Sequence, residues 1–268
     1  MLRLDNIYMS EALRAVLKCR RQVRMSLYPV FMDLTGRACL VAGLGAVGRR
    51  KVAGLIAAGP ALLRLTDPAP PHADERKLVV QARAAGVEVL RLHRPFAPED
   101  VDGCALVFAA TGDRAVNRLI AQLCLERGIL CNVADDPKLS AFQVPALWRQ
   151  ANIQAAVSTG GASPALAAHI RDELGIFLDG RYTVLAQLLE HLRPLLQGFN
   201  LDSKQGRSAD QHRELFRNLM DAGLPTALQV RDQARAAAIL RRLLPKEAYA
   251  AIEPFLETLA ARPERIVQ

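Results

Sequence analysis

The stretch VAGLGAVG, Val41 to Gly48, decides how the rest of the chain is read. Gly43, Gly45 and Gly48 form G-x-G-x-x-G directly after the apolar run Ala38 to Ala42 and ahead of the Ala-rich segment Val47 to Ala58. The glycines differ in what they allow. The first permits a tight turn, the second lets backbone approach a pyrophosphate, and the third lets helix and strand pack closely. The unpaired N–H groups and dipole of the new helix, which begins around Ala46 and Val47, then face the anion. The motif alone has little specificity, so its surroundings matter.

A second short strand, LLRLT, Leu62 to Thr66, ends at Asp67, at about the 20-residue spacing of the acid that accepts ribose hydroxyls of NAD. An acid there repels the 2′-phosphate of NADP, although Arg49, Arg50 and Lys51 near the turn weaken that discrimination. The alternative is a structural turn in which Asp67 precedes Pro68. Further strands are expected near Val87 to Leu92, Ala105 to Ala109 and Ile129 to Val133, with helices over Ala73 to Ala85 and Arg114 to Arg127. Alternating strands and helices of this kind predict a Rossmann-like, doubly wound parallel sheet, an α/β fold.

The fourth strand runs into AATGD, whose small residues Ala109, Ala110, Thr111 and Gly112 leave room at the crevice where such folds hold ligands. Thr111 is expected to contact the cofactor and Asp113 to cap the next helix. The fifth leads into CNVADDPK, placing Asn132, Asp135 and Asp136 at the same edge. Two carboxylates before a proline read equally well as a solvated turn. A partly desolvated carboxylate beside a nicotinamide can instead serve as general acid or base, or bind a metal ion through oxygen.

After Pro137 the rhythm breaks. FQVPALW and NIQAAVST follow one another without a helix, predicting an antiparallel hairpin outside the first sheet. STGGASP, Ser158 to Pro164, then leads into a helix over Pro164 to Glu173; Gly160 and Gly161 free the backbone for unusual dihedrals, Ser158, Thr159, Ser163 and the new helix N-terminus present donors to an anion, and Ser163 also reads as a cap. A second helix is expected at Tyr182 to Leu195, a linker near Gly198 to Ser208 and a helical appendage from Asp210. The division predicted is 1–27 as an N-terminal extension, 28–141 as the NAD-binding domain, 142–163 as a dimerisation hairpin region and 164–268 as helical domain and appendage.

Composition narrows the classes. The 268 residues are 51% hydrophobic, 23% charged and 5% aromatic, an ordinary globular balance with few stacking platforms for single-stranded nucleic acid. The formal charge of +8 comes from basic residues spread along the chain. That suits an anionic ligand and gives no recognised nucleic-acid module, so no nucleic-acid partner is expected. No apolar run approaches the roughly 18 to 20 residues of a membrane span, so no membrane partner is expected either. Five cysteines without C-x-x-C spacing read as reduced core residues of a cytoplasmic protein. Five histidines without metal-ligand spacing give no preformed metal site. Residues 1–27 are Arg-rich and amphipathic, lack a secretory apolar core, and contain Asp5 and Glu11, which argue against a transit peptide; an extra helix or an overlong start is expected.

Taken in order, YPVFMDLTGRACLVAGLGAVGRRKV, FAATGDRAVNRLI, CNVADDPKLSAFQVPALW and AAVSTGGASPALA resemble the precorrin-2 dehydrogenase and sirohydrochlorin ferrochelatase family, the NAD-dependent part of sirohaem synthase, over about residues 28 to 195. The resemblance implies oxidation of precorrin-2 to sirohydrochlorin with NAD, insertion of ferrous iron in some members, and a homodimer paired through the hairpin region. A helical domain would close over the tetrapyrrole, whose eight carboxylates make a basic chain sensible. It further implies that Gly43, Gly45, Ala46, Val47, Gly48, Asp67 and Thr111 carry NAD. Asp135 would be the general acid or base and a participant in any chelation, with Asp136 second. Asn132, Asp136, Ser158, Thr159 and Gly160 would face the substrate. The chain departs from the pattern in its N-terminal stretch, its unmatched tail and His169, where a basic side chain is expected. Nothing resembles the uroporphyrinogen methyltransferase domain of the fused enzyme, so methylation is assigned to a separate protein. Two other classes remain open: a dehydrogenase of another small substrate, and a non-enzymatic NAD-sensing module.

Overall fold

A computed structural model describes residues 27–178, 180–198, 208–244, 246–249 and 252–254. The expected N-terminal extension, the linker after Gly198 and the end of the tail therefore lie outside the described residues, apart from Leu27 and the residues at the segment edges. Two compact units meet between Val144 and Pro145.

The first unit holds strands β1 (Ala38–Ala42), β2 (Leu62–Thr66), β3 (Glu88–Leu92), β4 (Cys104–Ala109) and β5 (Leu130–Val133). They form one parallel sheet in the order β3-β2-β1-β4-β5. Between them run helices α1 (Ala46–Ile56), α2 (Ala73–Ala84) and α3 (Arg114–Glu126), with a 3₁₀ turn at Pro98–Val101. Each of these strands and α-helices lies within a few residues of its predicted span, and the 3₁₀ turn is an addition.

Strand periodicity explains why the sheet is covered on both sides. Alternate residues point to opposite faces, so Cys39 and Val41 join Leu63, Leu65, Leu106 and Phe108 beneath Val52 and Leu55 of α1 and Ala82 of α2. Leu40 and Ala42 point the other way, with Val107, Ala109 and Val133, against Ile120, Ala121 and Cys124 of α3. These near-continuous apolar strands are what a sheet buried on both faces requires. The four described cysteines are free and buried, as expected of core residues. Desolvation pushes the Cys39 thiol up to about 12.

The second unit starts with the antiparallel hairpin β6 (Ala146–Gln150) and β7 (Ile153–Val157), paired from Ala146 opposite Val157 to Gln150 opposite Ile153. Helix α4 (Pro164–Phe177) packs on it, closely enough that a Cβ at Gly175 would lie 2.6 Å from Trp148 Nε1. Ser163 caps α4 by accepting from the Leu166 N–H at 3.2 Å. Helices α5 (Gly180–Gly198), α6 (Ser208–Asp221), α7 (Leu224–Gln229) and α8 (Gln233–Leu243) share a core. Leu185, Leu188 and Leu192 line one stripe of α5 and meet Leu219, Leu224, Leu228 and Leu240. Leu219, Leu224, Leu228, Leu240 and Ile252, all within the segment from Asp210 read in sequence as a helical appendage, thus pack with α5 around one core. No described helix is long and apolar enough to cross a membrane.

Candidate functional site

The register aligns the carboxyl ends of four strands. Ala42 pairs with Thr66 and Ala109, and Ala109 with Val133. Gly43, Asp67, Ala110 and Ala134 consequently leave from one edge, where doubly wound sheets bind ligands. The exits are laced together: the Gly43 N–H donates to Thr66 O at 2.8 Å, Ala110 N–H to Ala42 O at 2.8 Å and Ala134 N–H to Ala109 O at 2.9 Å.

The three glycines are required for different reasons. Gly43 has φ +88°, and a Cβ there would lie 2.4 Å from Ala110 O. Gly48 cannot carry a Cβ because Gly43 O would be 1.9 Å away. Gly45 is different: it has φ −61°, which any residue adopts, and a Cβ would meet nothing within 4 Å. Packing therefore demands glycine at 43 and 48, whereas the space over Gly45 is open. That space lies at the N-terminus of α1, where Ala46 and Val47 begin the helix and no side chain caps it. Such an open cradle of backbone donors fits a pyrophosphate.

Asp67 closes the cradle from β2. Its Oδ2 accepts from the Leu44 N–H at 2.6 Å and its Oδ1 from the Ala69 N–H at 2.8 Å. Arg91, on β3, holds this loop from beneath: Nη1 donates to Asp67 O at 2.7 Å, Nη2 to Ala69 O at 3.1 Å, and Nε to Glu75 at 2.5 Å. The Arg91 and Glu75 side chains are only 11% and 6% exposed. Of the basic residues after the turn, Arg49 donates to Leu44 O at 2.9 Å and the Lys51 ammonium sits 5.2 Å from the Phe108 ring centroid. Burial, with the adjacent Arg50 charge, lowers the Lys51 pKa. Arg50 is exposed.

At the β4 and β5 exits, Asp113 caps α3, its Oδ1 accepting from Ala115 N–H at 2.7 Å. Thr111 turns its hydroxyl toward Asn117 Oδ1 at 2.7 Å and Asp113 O at 3.0 Å. Asn117 reaches onward to Asp135 Oδ1 at 3.3 Å, while Arg114 Nε stands 3.4 Å from Asp135 Oδ2. Asp135 is exposed, with 41% of its side chain open, and the Arg114 side chain is 81% exposed. Neither Arg114 nor Asn117 was singled out from sequence. Asn117 had a visible signal, an amide among the apolar positions Val116, Ile120, Ala121 and Cys124 of an amphipathic helix.

The other candidates have partners of their own. Asn132, nearly buried, gives its amide to Phe142 O at 3.0 Å, and Asp136 Oδ1 accepts from Lys138 N–H at 2.9 Å within its own turn. Ser158, Thr159 and Gly160 belong to the second unit. There the Gly160 N–H donates to Ser158 Oγ at 3.2 Å, Thr159 Oγ1 bridges the Ser163 backbone at 3.0 Å, and Gly160 and Gly161 take φ +62° and +86°. Among the described residues no three His, Cys, Asp or Glu side chains are grouped to hold a metal ion.

Sheet order, glycine turn and strand-end acid define a dinucleotide-binding protein of the Rossmann class. Residues 30–146 match the model of a putative NAD(P)-binding family and residues 152–175 that of the sirohaem biosynthesis protein central region. The chain is 43% identical over 169 residues to the siroheme synthase of Thioalkalivibrio sulfidiphilus, covering 63% of this chain and 33% of that protein. It is 32% identical over 229 residues to siroheme synthase 1 of Halorhodospira halophila, covering 82% and 43%. The solved structure of SirC, a precorrin-2 dehydrogenase, shares the fold at a TM-score of 0.57 and 24% identity, covering 88% of this chain and all of that one. Over these matched residues the chain is similar to siroheme synthases, and its first unit to a putative NAD(P)-binding family, the cofactor class that the turn at Gly45 and Asp67 fits. It spans between a third and about two fifths of the length of these two curated relatives.

Proposed function

We propose that the protein oxidises precorrin-2 to sirohydrochlorin at the carboxyl edge of the first sheet. The observation that carries this is the convergence of the open turn at Gly45, the acid Asp67 and the carboxylate Asp135 on one strand edge, in a chain matching siroheme synthases. When bound, NAD supplies the hydride acceptor. The N–H groups at Ala46 and Val47 and the dipole of α1 hold its pyrophosphate, and Asp67 accepts from its ribose hydroxyls.

A two-electron oxidation that gives up a hydride must also release a proton, and Asp135 is the base in reach of that edge. Its exposure leaves it accessible to substrate, with the Arg114 Nε 3.4 Å from its Oδ2. The exposed Arg114 guanidinium also suits one of the substrate's eight carboxylates, a strong charge-assisted pairing. Thr111 keeps the β4 loop in shape beside the cofactor. Within the second unit the Ser158 hydroxyl is the donor proposed for a substrate carboxylate, with Thr159 and Gly160 shaping its turn, and Asn132 and Asp136 shape the β5 turn.

We read the working form as a cytoplasmic homodimer paired through β6 and β7. The second unit supports this with exposed Leu147 on β6 and Ile176 and Phe177, 81% and 60% exposed, at the end of α4. Ferrous iron, where it is inserted, is substrate rather than a resident ion, and Asp135 is the group placed to take up the displaced protons.

The test is an anaerobic reaction with enzymatically generated precorrin-2 and NAD, following NADH and the sirohydrochlorin spectrum, then adding ferrous iron. NADH formed in step with sirohydrochlorin is the expected result, and faster iron insertion than without enzyme would add the second step. Folded, NAD-binding protein that leaves precorrin-2 unoxidised would overturn the assignment and favour another substrate or a sensing role.

A further inference from the structure

Asn117 lies on the buried face of α3 and is 2% exposed. A buried side-chain amide is tolerated when its donors and acceptor are matched. Here all are matched by two loops at the ligand edge. Oδ1 accepts from the Thr111 N–H at 3.1 Å and faces the Thr111 hydroxyl at 2.7 Å; Nδ2 donates to Thr111 O at 3.1 Å and to Asp135 Oδ1 at 3.3 Å. The orientation of the amide is forced. A backbone N–H can only donate, so it must meet Oδ1, while a carbonyl and an ionised carboxylate can only accept, so they must meet Nδ2.

The first turn of α3 thereby brackets Asp135. Arg114 and Asn117, three residues apart on one helix face, address Oδ2 and Oδ1 respectively. Their environments differ: Arg114 is 81% exposed and free to exchange its partner for a substrate carboxylate, whereas Asn117 is walled in by the core packing of α3. Only the second contact can survive substrate entry unchanged.

We infer that Asn117 is a positioning residue that ties the Asp135 turn to the Thr111 loop and so fixes the carboxylate relative to the cofactor edge. As a role in hydride and proton transfer this rests on the proposed dehydrogenase activity; the tether itself does not. A loose carboxylate on an exposed turn would sample many rotamers, and small misplacements of a reacting group cost large factors in rate.

The test combines hydrogen exchange with kinetics on the full chain. Asn117→Asp keeps the acceptor side toward Thr111 and sets a carboxylate against Asp135, so amide exchange at Ala134 to Asp136 should rise at least tenfold with β4 and β5 unchanged. The kcat for precorrin-2 oxidation should fall at least tenfold while KM for NAD stays within threefold. Asn117→Ala releases both loops, so exchange rises at Thr111 to Asp113 as well and KM for NAD rises with it. Unchanged exchange at Ala134 to Asp136 in Asn117→Asp, or unchanged kcat beside an active wild type, would overturn the inference. If Asn117→Ala does not fold, Asn117→Asp alone decides. If wild-type protein leaves precorrin-2 untouched, the dehydrogenase reading falls, and the exchange data still decide the tether.

Discussion

Replacing Gly45 with Asp should separate folding from cofactor binding, moving them in opposite directions. Gly45 is the N-cap of α1, at φ −61°, with nothing within 4 Å of a new Cβ and no side chain capping the helix. Aspartate is a better N-cap than glycine by a few tenths of a kcal/mol, and a negative charge at a helix N-terminus adds roughly 0.3 to 1 kcal/mol. The ligand-free protein should therefore be as stable as wild type or more stable by up to about 1 kcal/mol. Binding should suffer. Two unit charges about 4 Å apart interact by about 1 kcal/mol in bulk water and more in a less polar site, so a carboxylate against a doubly charged pyrophosphate costs at least about 2 kcal/mol. That is a factor of roughly 30 in Kd, before counting the lost space. Calorimetric NAD titration beside thermal unfolding of the ligand-free protein reads both quantities. A Kd within threefold of wild type would refute the placement of pyrophosphate over Gly45, and a large loss of stability would refute the claim that the site is open.

The neighbouring glycine should behave in the reverse way. Gly48→Ala places a Cβ 1.9 Å from Gly43 O, against backbone that cannot rotate aside; an overpacking cost of about 1 to 3 kcal/mol is expected in denaturant unfolding. Arg91→Leu leaves the buried Glu75 without its partner, and breaking such a pair costs about 3 to 5 kcal/mol; in protein kept folded by osmolyte, NAD affinity should fall too, as Asp67 loses its support. Cys39, fully buried with its pKa raised by burial to about 12, should contribute to alkaline destabilisation. The raised folded value means its contribution is whole below pH about 9 and is lost as pH rises from there toward 12. Cys39→Ala should flatten that part of the stability profile, and an unchanged slope would contradict the stated cause.

The fold was legible because its signals are local. The continuous apolar run Ala38 to Ala42, ended by the glycine turn, and the run Leu62 to Thr66, ended by Asp67, specify both strand and turn within about 30 residues. Caps Asp113 and Ser163 were legible for the same reason. What escaped is relational. Arg91 lies unmarked within the strand expected near Val87 to Leu92, and only the pairing of Leu65 with Arg91 brings it under the Asp67 loop. Asn117 reads as one polar residue on a helix until the β5 exit places Asp135 opposite it. The shared core of α5 with α6, α7 and α8 depends on leucines far apart in sequence, such as Leu188 and Leu240, whose partnership no periodicity announces.

The most direct test compares wild type with Asp135→Ala in anaerobic precorrin-2 oxidation, with NAD affinity measured on both. The account predicts one NADH per sirohydrochlorin in the wild type, and in the variant turnover lowered at least about 100-fold, the lower end for lost general acid–base catalysis, with NAD binding within threefold. Normal oxidation by Asp135→Ala would contradict the assignment of the reaction to this carboxylate at the β5 exit.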